Sequence, residues 1–197
     1  TGPRMNASVG QRIARWLALT TTALWLSAAL AGDPQEVDQA LLTLLKKTVE
    51  QADSFEDRFD AEVWLMAKST QLARYIPDSE ERLDLLRKIH QAATRAELSP
   101  EVVLAVIQVE SHFDSYAVSS AGAQGMMQVM PFWKHEIGRA DDNLINIDTN
   151  LRYGCTILKY YLDKENGNLA LALARYNGSY GKTWYPERVM VAWDNWR

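Results

Sequence analysis

The chain has 197 residues, of which 47% are hydrophobic and 23% charged, a globular balance sized for one domain with or without a helical extension. Its formal net charge of −4 argues against nucleic acid and anionic membranes as partners. A single cysteine, Cys155, excludes any intrachain disulfide, so the fold must rest on its apolar core.

Residues 1–31 stand apart. Met5 is followed by Arg12 and Arg15, then by an apolar run from Trp16 to Leu30 that ends in Ala29-Leu30-Ala31. A basic start, a short hydrophobic stretch and an A-x-A site make a secretory signal peptide. A membrane anchor is the alternative, but the run is short for a span and an acidic, polar segment follows at once. The residue after the cleavage site is Gly32, where a lipoprotein would need cysteine. The expected product is soluble, non-lipidated and periplasmic, with no stable membrane insertion after processing. Cleavage removes Arg4, Arg12 and Arg15 and no acid, which moves the formal charge from −4 to −7.

The rest reads as helices, and the expected class is all-α. In "DPQEVDQALLTLLKKTVEQA" the apolar residues Val37, Leu41, Leu44, Leu45 and Val49 recur at helical spacing. "FDAEVWLMAKSTQLARYI" predicts a second helix, ended by Pro77. Asp78 or Ser79 can cap a third, with Leu83, Leu86, Ile89 and His90 on one side, His90 as a packing residue. In "ELSPEVV", Ser99 is an N-cap, Pro100 the first helical residue and Glu101 a first-turn acid. Further on, Asp148 is expected to cap "TNLRYGCTILKYYLD", with the stripe Leu151, Cys155, Leu158 and Leu162. "GNLALALARY" predicts a short apolar helix stopped by Asn177-Gly178, and Pro186 opens a last one through Val189 and Trp193. Residues 32–96 are thus read as a helical N-terminal extension and residues 97–197 as one compact helical domain.

Glu110 is the anomaly of this pattern. It ends the apolar stretch Val102 to Val109, and at about 100° per residue it falls within about 60° of Val103, Val106 and Ile107. A carboxylate on a core-facing stripe is costly unless it is paired or its pKa rises.

Three motifs share the second half of the chain: Glu110-Ser111, "GAQGMMQVMP" from Gly122 to Pro131, and "ARYNGS" from Ala174 to Ser179. Singly, each has a structural explanation: an ion-paired glutamate, a glycine turn with methionine as core filler, a helix end with its stop signal. In this order and spacing they resemble the soluble lytic transglycosylases, bacterial enzymes that cut peptidoglycan glycan strands. That family pairs Glu-Ser with G-L-M-Q-x-M-P starting 15 residues after the glutamate, and with a later A-Y-N. Here Gly125 holds that offset, and the resemblance runs from Leu98 to the end. Met126 stands where leucine is usual, a nearly volume-conserving exchange. Arg175 stands where alanine is more common, and Gly178-Ser179 replaces Ala-Gly.

The resemblance implies a lysozyme-like helical catalytic domain with a sugar-binding groove. It implies that Glu110 is the single catalytic acid and base, and that Ser119 contacts the sugar or its N-acetyl group. Gln128 and Met130 would line the groove. Tyr176 would hydrogen-bond near the carboxyl group, and Asn177 would hold the substrate amide or the site itself. Ser111 is read as fixing the helix end. On this reading Glu110 protonates the oxygen between N-acetylmuramic acid and N-acetylglucosamine, then takes the proton of the muramyl C6 hydroxyl as it closes on C1. No cofactor and no metal are required; His112, His135 and Glu136 fit no zinc spacing.

Two other readings stay open. A goose-type lysozyme would share the fold but use water, with a second carboxylate such as Asp148 to orient it. A peptidoglycan-binding scaffold subunit of a wall-spanning secretion system would keep the groove and need no acid. Glycan strands are the expected partner, with cell-wall or secretion-system proteins as further candidates.

Overall fold

The computed structural model describes residues 39–50, 53–55 and 57–197; the expected signal peptide and the start of the first expected helix lie outside them. Among the described residues there are eight helices: α1 Gln39–Glu50, α2 Arg58–Leu72, α3 Ser79–Arg95, α4 Pro100–Ser111, α5 Trp133–Ile137, α6 Ile147–Lys164, α7 Leu169–Asn177 and α8 Trp184–Trp196. The only strand-like pairing among them is a pair of isolated bridges, Val118 to Gln124 and Gln124 to Val129. The protein is all-α, as its periodicity predicts.

Side-chain caps decide where most of these helices begin, because the first N–H groups of a helix lack internal partners. Asp57, Asp78, Ser99, Asn146 and Asn168 each hold extended backbone and accept from an N–H of the first turn. Asp78, not Ser79, caps α3. Asp148 does not cap α6. Asn146 takes that place, its Oδ1 accepting from Thr149 N at 3.0 Å, and Asp148 falls in the first turn, where its charge suits the helix dipole. Asp148 is exposed and stands 3.7 Å from Lys88 of α3. Helix α8 starts before Pro186, which sits in its first turn, where a missing N–H costs nothing.

The described residues form one compact unit. A single apolar cluster runs from Leu45 of α1 to Trp196 of α8. Helix α4 is its centre, with Val102 to Ile107 all buried, and it packs on α3 and α8. Helices α6 and α7 pair with each other, α6 also touches α3, and α7 also touches α8. Helices α1, α2 and α3 also pack mutually. No helix among the described residues is long and apolar enough to cross a membrane.

Candidate active site

Glu110 occupies the last turn of α4, one residue before Ser111 ends it. The chain then turns sharply, because His112 (φ +53°) and Phe113 (φ +67°) both adopt left-handed backbone. Non-glycine residues in that region carry strain, which the surrounding packing must hold. Phe113 supplies part of that hold: it is buried between Tyr75, with ring centroids 4.9 Å apart, and Trp196, at 5.6 Å. Ser111 supplies more. Its hydroxyl donates to Met126 O at 2.8 Å, tying the helix end to the glycine-methionine loop.

That loop is built around one buried side chain. Asn150 of α6 is fully buried. Its Nδ2 donates to Gln124 O and Leu144 O, both at 2.8 Å, and its Oδ1 accepts from Met127 N at 2.8 Å. Gly125 (φ +72°) is required there on two counts: its backbone is left-handed, and a Cβ would sit 2.5 Å from Asn150 Nδ2. Met126 and Met127 are buried beneath the loop, and Met127 packs against Gly154, where any Cβ would collide with it.

The expected site residues take different places around this scaffold. Ser119 closes a turn, its Oγ accepting from Ala123 N at 3.0 Å, which leaves its own proton to donate. Gln128, itself left-handed at φ +49°, turns its amide inward to Gly125 O (2.9 Å) and Ala117 O (3.1 Å). Met130 is half-buried, and Asn177 is exposed at the last position of α7. The Tyr176 hydroxyl donates to Met127 O at 2.6 Å, so its hydrogen bond goes to the loop and not to the carboxyl group. Asp114 is a turn residue, its Oδ1 accepting from Tyr116 N at 2.8 Å.

The donor that reaches Glu110 is one the sequence reading passed over. Tyr185, in the first turn of α8 and almost fully buried, donates to Glu110 Oε1 at 2.6 Å. Burial pushes the Glu110 carboxyl up from its ordinary value to about 7, against the opposing pull of the Tyr185 hydrogen bond and the Arg188 charge. No second carboxylate figures among these influences. Burial, and then the charge of Glu110, also holds the phenols of Tyr176 and Tyr185 well above their ordinary range. Both therefore remain neutral donors wherever Glu110 titrates. A carboxyl group poised near neutrality, gripped by one neutral donor, can give up a proton and take one back in the same pH range. The clue to Tyr185 and Arg188 lay in "WYPERV", where the two residues stand one helical turn apart; starting the helix at Pro186 left Tyr185 outside it.

Several known proteins share part of this sequence. The chain is 36% identical over 97 residues to a membrane-bound lytic murein transglycosylase F of Desulfosudis oleivorans, covering 47% of this chain and 21% of that protein. It is 30% identical over 115 residues to a membrane-bound lytic murein transglycosylase C of Klebsiella pneumoniae, covering 49% of this chain and 31% of the relative. The chain thus spans a third or less of the length of these relatives. A solved structure of an inactive mutant of the lytic transglycosylase Slt from Pseudomonas aeruginosa aligns with a TM-score of 0.43 at 22% identity, over 84% of this chain and 34% of that one. Residues 87–189 match the family described as the transglycosylase SLT domain. That match takes in more than half of the chain and includes Glu110, the loop around Gly125 and both tyrosines, and the protein belongs to the transglycosylase SLT domain family.

Proposed function

We propose that this protein is a peptidoglycan lytic transglycosylase in which Glu110 alone serves as acid and then as base. The observation that carries the reading is the state of Glu110: raised to about 7 by burial and held by the neutral hydroxyl of Tyr185. The names of the relatives, lytic murein transglycosylases, support the same substrate. An exported, periplasmic protein fits that substrate and the basic, apolar start of the chain.

The reaction needs two proton transfers. Protonated Glu110 gives its proton to the oxygen linking C1 of N-acetylmuramic acid to O4 of N-acetylglucosamine, and the C1–O4 bond breaks. The substrate's own N-acetyl oxygen shields the positive C1, as in substrate-assisted glycosidases. The muramyl C6 oxygen then bonds to C1 while its proton passes to the Glu110 carboxylate, which restores the acid. The product end is a 1,6-anhydro sugar and no water enters. Intramolecular attack has a large effective-molarity advantage, which removes the need for a second carboxylate. Tyr185 steadies the carboxylate while it is charged. Ser119 retains a hydroxyl proton to offer a sugar or its N-acetyl group, Met130 and Asn177 supply wall and rim, and Gln128 and Tyr176 act by shaping the loop beneath.

The reading is tested by digesting purified glycan strands with the wild type and with Glu110→Gln. The amide keeps the shape of the side chain but cannot transfer the proton, so cleavage should fall by about three orders of magnitude or more. A variant that still cleaved at a near-normal rate would remove Glu110 from the mechanism.

A further inference from the structure

Helix α2 lies outside the family match, which begins within α3. Its inner face nevertheless reaches the two helices that carry the Glu110–Tyr185 pair. Trp64, Lys68 and Gln71 follow at helical i, i+4, i+7 spacing and therefore share one face. Trp64 Nε1 donates to Glu101 Oε1 at 2.6 Å, at the start of α4. Gln71 Nε2 donates to Asn195 O at 3.0 Å, in the last turn of α8. Between them, the Lys68 ammonium donates to Trp196 O, the last residue of α8. Trp196 continues the chain of contacts, its Nε1 donating to Gln108 Oε1 at 2.7 Å, two residues before Glu110.

Lys68 is the informative member. It is 6% exposed and makes no ion pair within 4 Å among the described residues. A lysine in that setting is costly, whereas an apolar side chain of the same length would fill the same space. What only a cationic side chain provides is a directed charge on the carbonyl end of α8, which the helix dipole favours. The charge is also felt at the far end of α4. There, burial raises the Glu101 pKa, but hydrogen bonds from Trp64 and Ser99, together with the Lys68 charge, bring it below its ordinary value. One face of α2 thus fixes the beginning of α4 and the end of α8.

We infer that Lys68 is a positioning residue that sets the angle of α8 against α4 and so holds the Tyr185 hydroxyl on Glu110. Helix α8 has 13 residues and is stiff over its length of about 20 Å. Tyr185 sits at one end and the Lys68 anchor at the other. A small swing at the anchored end displaces the phenol by enough to break a hydrogen bond, since such bonds weaken steeply outside their narrow range of distance and angle. The inference rests on the proposed role of Glu110 and goes beyond it, because it gives the helices outside the family match a share in catalysis.

The test is a double-mutant cycle in the full chain, read as kcat and KM on purified glycan strands. Lys68→Met should lower kcat about tenfold while KM stays within about twofold, because the contact acts on the transition state and not on strand binding. Lys68→Arg should restore kcat to within about threefold, since it keeps the donor and the charge. In a Tyr185→Phe background, Lys68→Met should change kcat by less than about twofold, because the bond it protects is already gone. Gln71→Leu, a milder cut at the same anchor, should follow the same pattern with a smaller loss. The inference is overturned if Lys68→Met lowers kcat equally in both backgrounds, if it has no effect, or if its loss merely follows the fraction of folded protein. Loss of the underlying mechanism reads differently, as cleavage surviving Glu110→Gln.

Discussion

The Tyr185 hydroxyl stands 2.6 Å from Glu110 Oε1, and the two residues set each other's protonation. Burial raises the carboxyl pKa to about 7, the phenol's hydrogen bond pulls against that rise, and the phenol in turn stays protonated far beyond it. The pair therefore has one titration near neutrality, and it belongs to Glu110.

An acid-first mechanism needs Glu110 protonated, so kcat/KM should decline as pH rises through about 7. Tyr185→Phe removes an influence that lowers the carboxyl pKa, so the decline should move to higher pH. The rate on the acid side should also drop by roughly tenfold to a hundredfold, because a donor to the charged carboxylate is lost. Paired pH–rate profiles check both effects. A profile that moved to lower pH would contradict the assigned direction.

The same group makes stability depend on pH. The folded protein keeps the Glu110 proton up to about 7 while the unfolded chain releases it near 4.5. Between those values the native state binds more protons, so stability should fall as pH rises and then level off above about 7. The full effect is on the order of 3 kcal/mol. Glu110→Gln should flatten that part of the curve and leave the variant more stable than wild type at pH 8. Urea unfolding at a series of pH values measures it.

Gly125→Ala should disrupt the loop that backs the site. The new methyl meets Asn150 Nδ2 at 2.5 Å on backbone held at φ +72°, and the cost should be roughly 2–4 kcal/mol. Thermal unfolding reads the loss directly. The comparison is Gly122→Ala, also at positive φ but with open space around the added carbon, which should cost only about 1 kcal/mol.

Cys155 should be inert in the native protein. It is fully buried in α6, and burial pushes its thiol up to about 12, which removes the reactive thiolate. A thiol-reactive dye should label it only after unfolding. Rapid labelling of folded protein would mean that α6 opens locally.

Much of this architecture is legible in the sequence, for physical reasons. Ser99-Pro100 writes the start of α4 in local chemistry, and the apolar run behind it forces the helix inward, so the anomaly at Glu110 shows without coordinates. Ser111 could likewise be read as a clasp on the helix end. What stayed hidden depends on contacts between distant segments. Asn146 and Asp148 are both capable caps two residues apart, and the backbone turn before α6 decided between them. The family resemblance implied a Tyr176 hydrogen bond near the carboxyl group; Tyr176 does feel the Glu110 charge, but its hydroxyl donates to Met127 O, and α8 brings the Tyr185 hydroxyl to the carboxyl. Asn150 looks like one more polar residue on a helix until the loop folds over it and engages both its amide N–H donors and its oxygen.

The most direct measurement is mass spectrometry of glycan strands digested in heavy-oxygen water. Transglycosylation closes C6 oxygen on C1 without solvent, so new muramyl ends should be 1,6-anhydro and carry no label. Asp114→Asn and Asp148→Asn should yield the same unlabelled ends at rates within about tenfold of wild type. Labelled reducing muramic acid, with either aspartate variant crippled, would contradict the account and make the enzyme a hydrolase with a second working carboxylate.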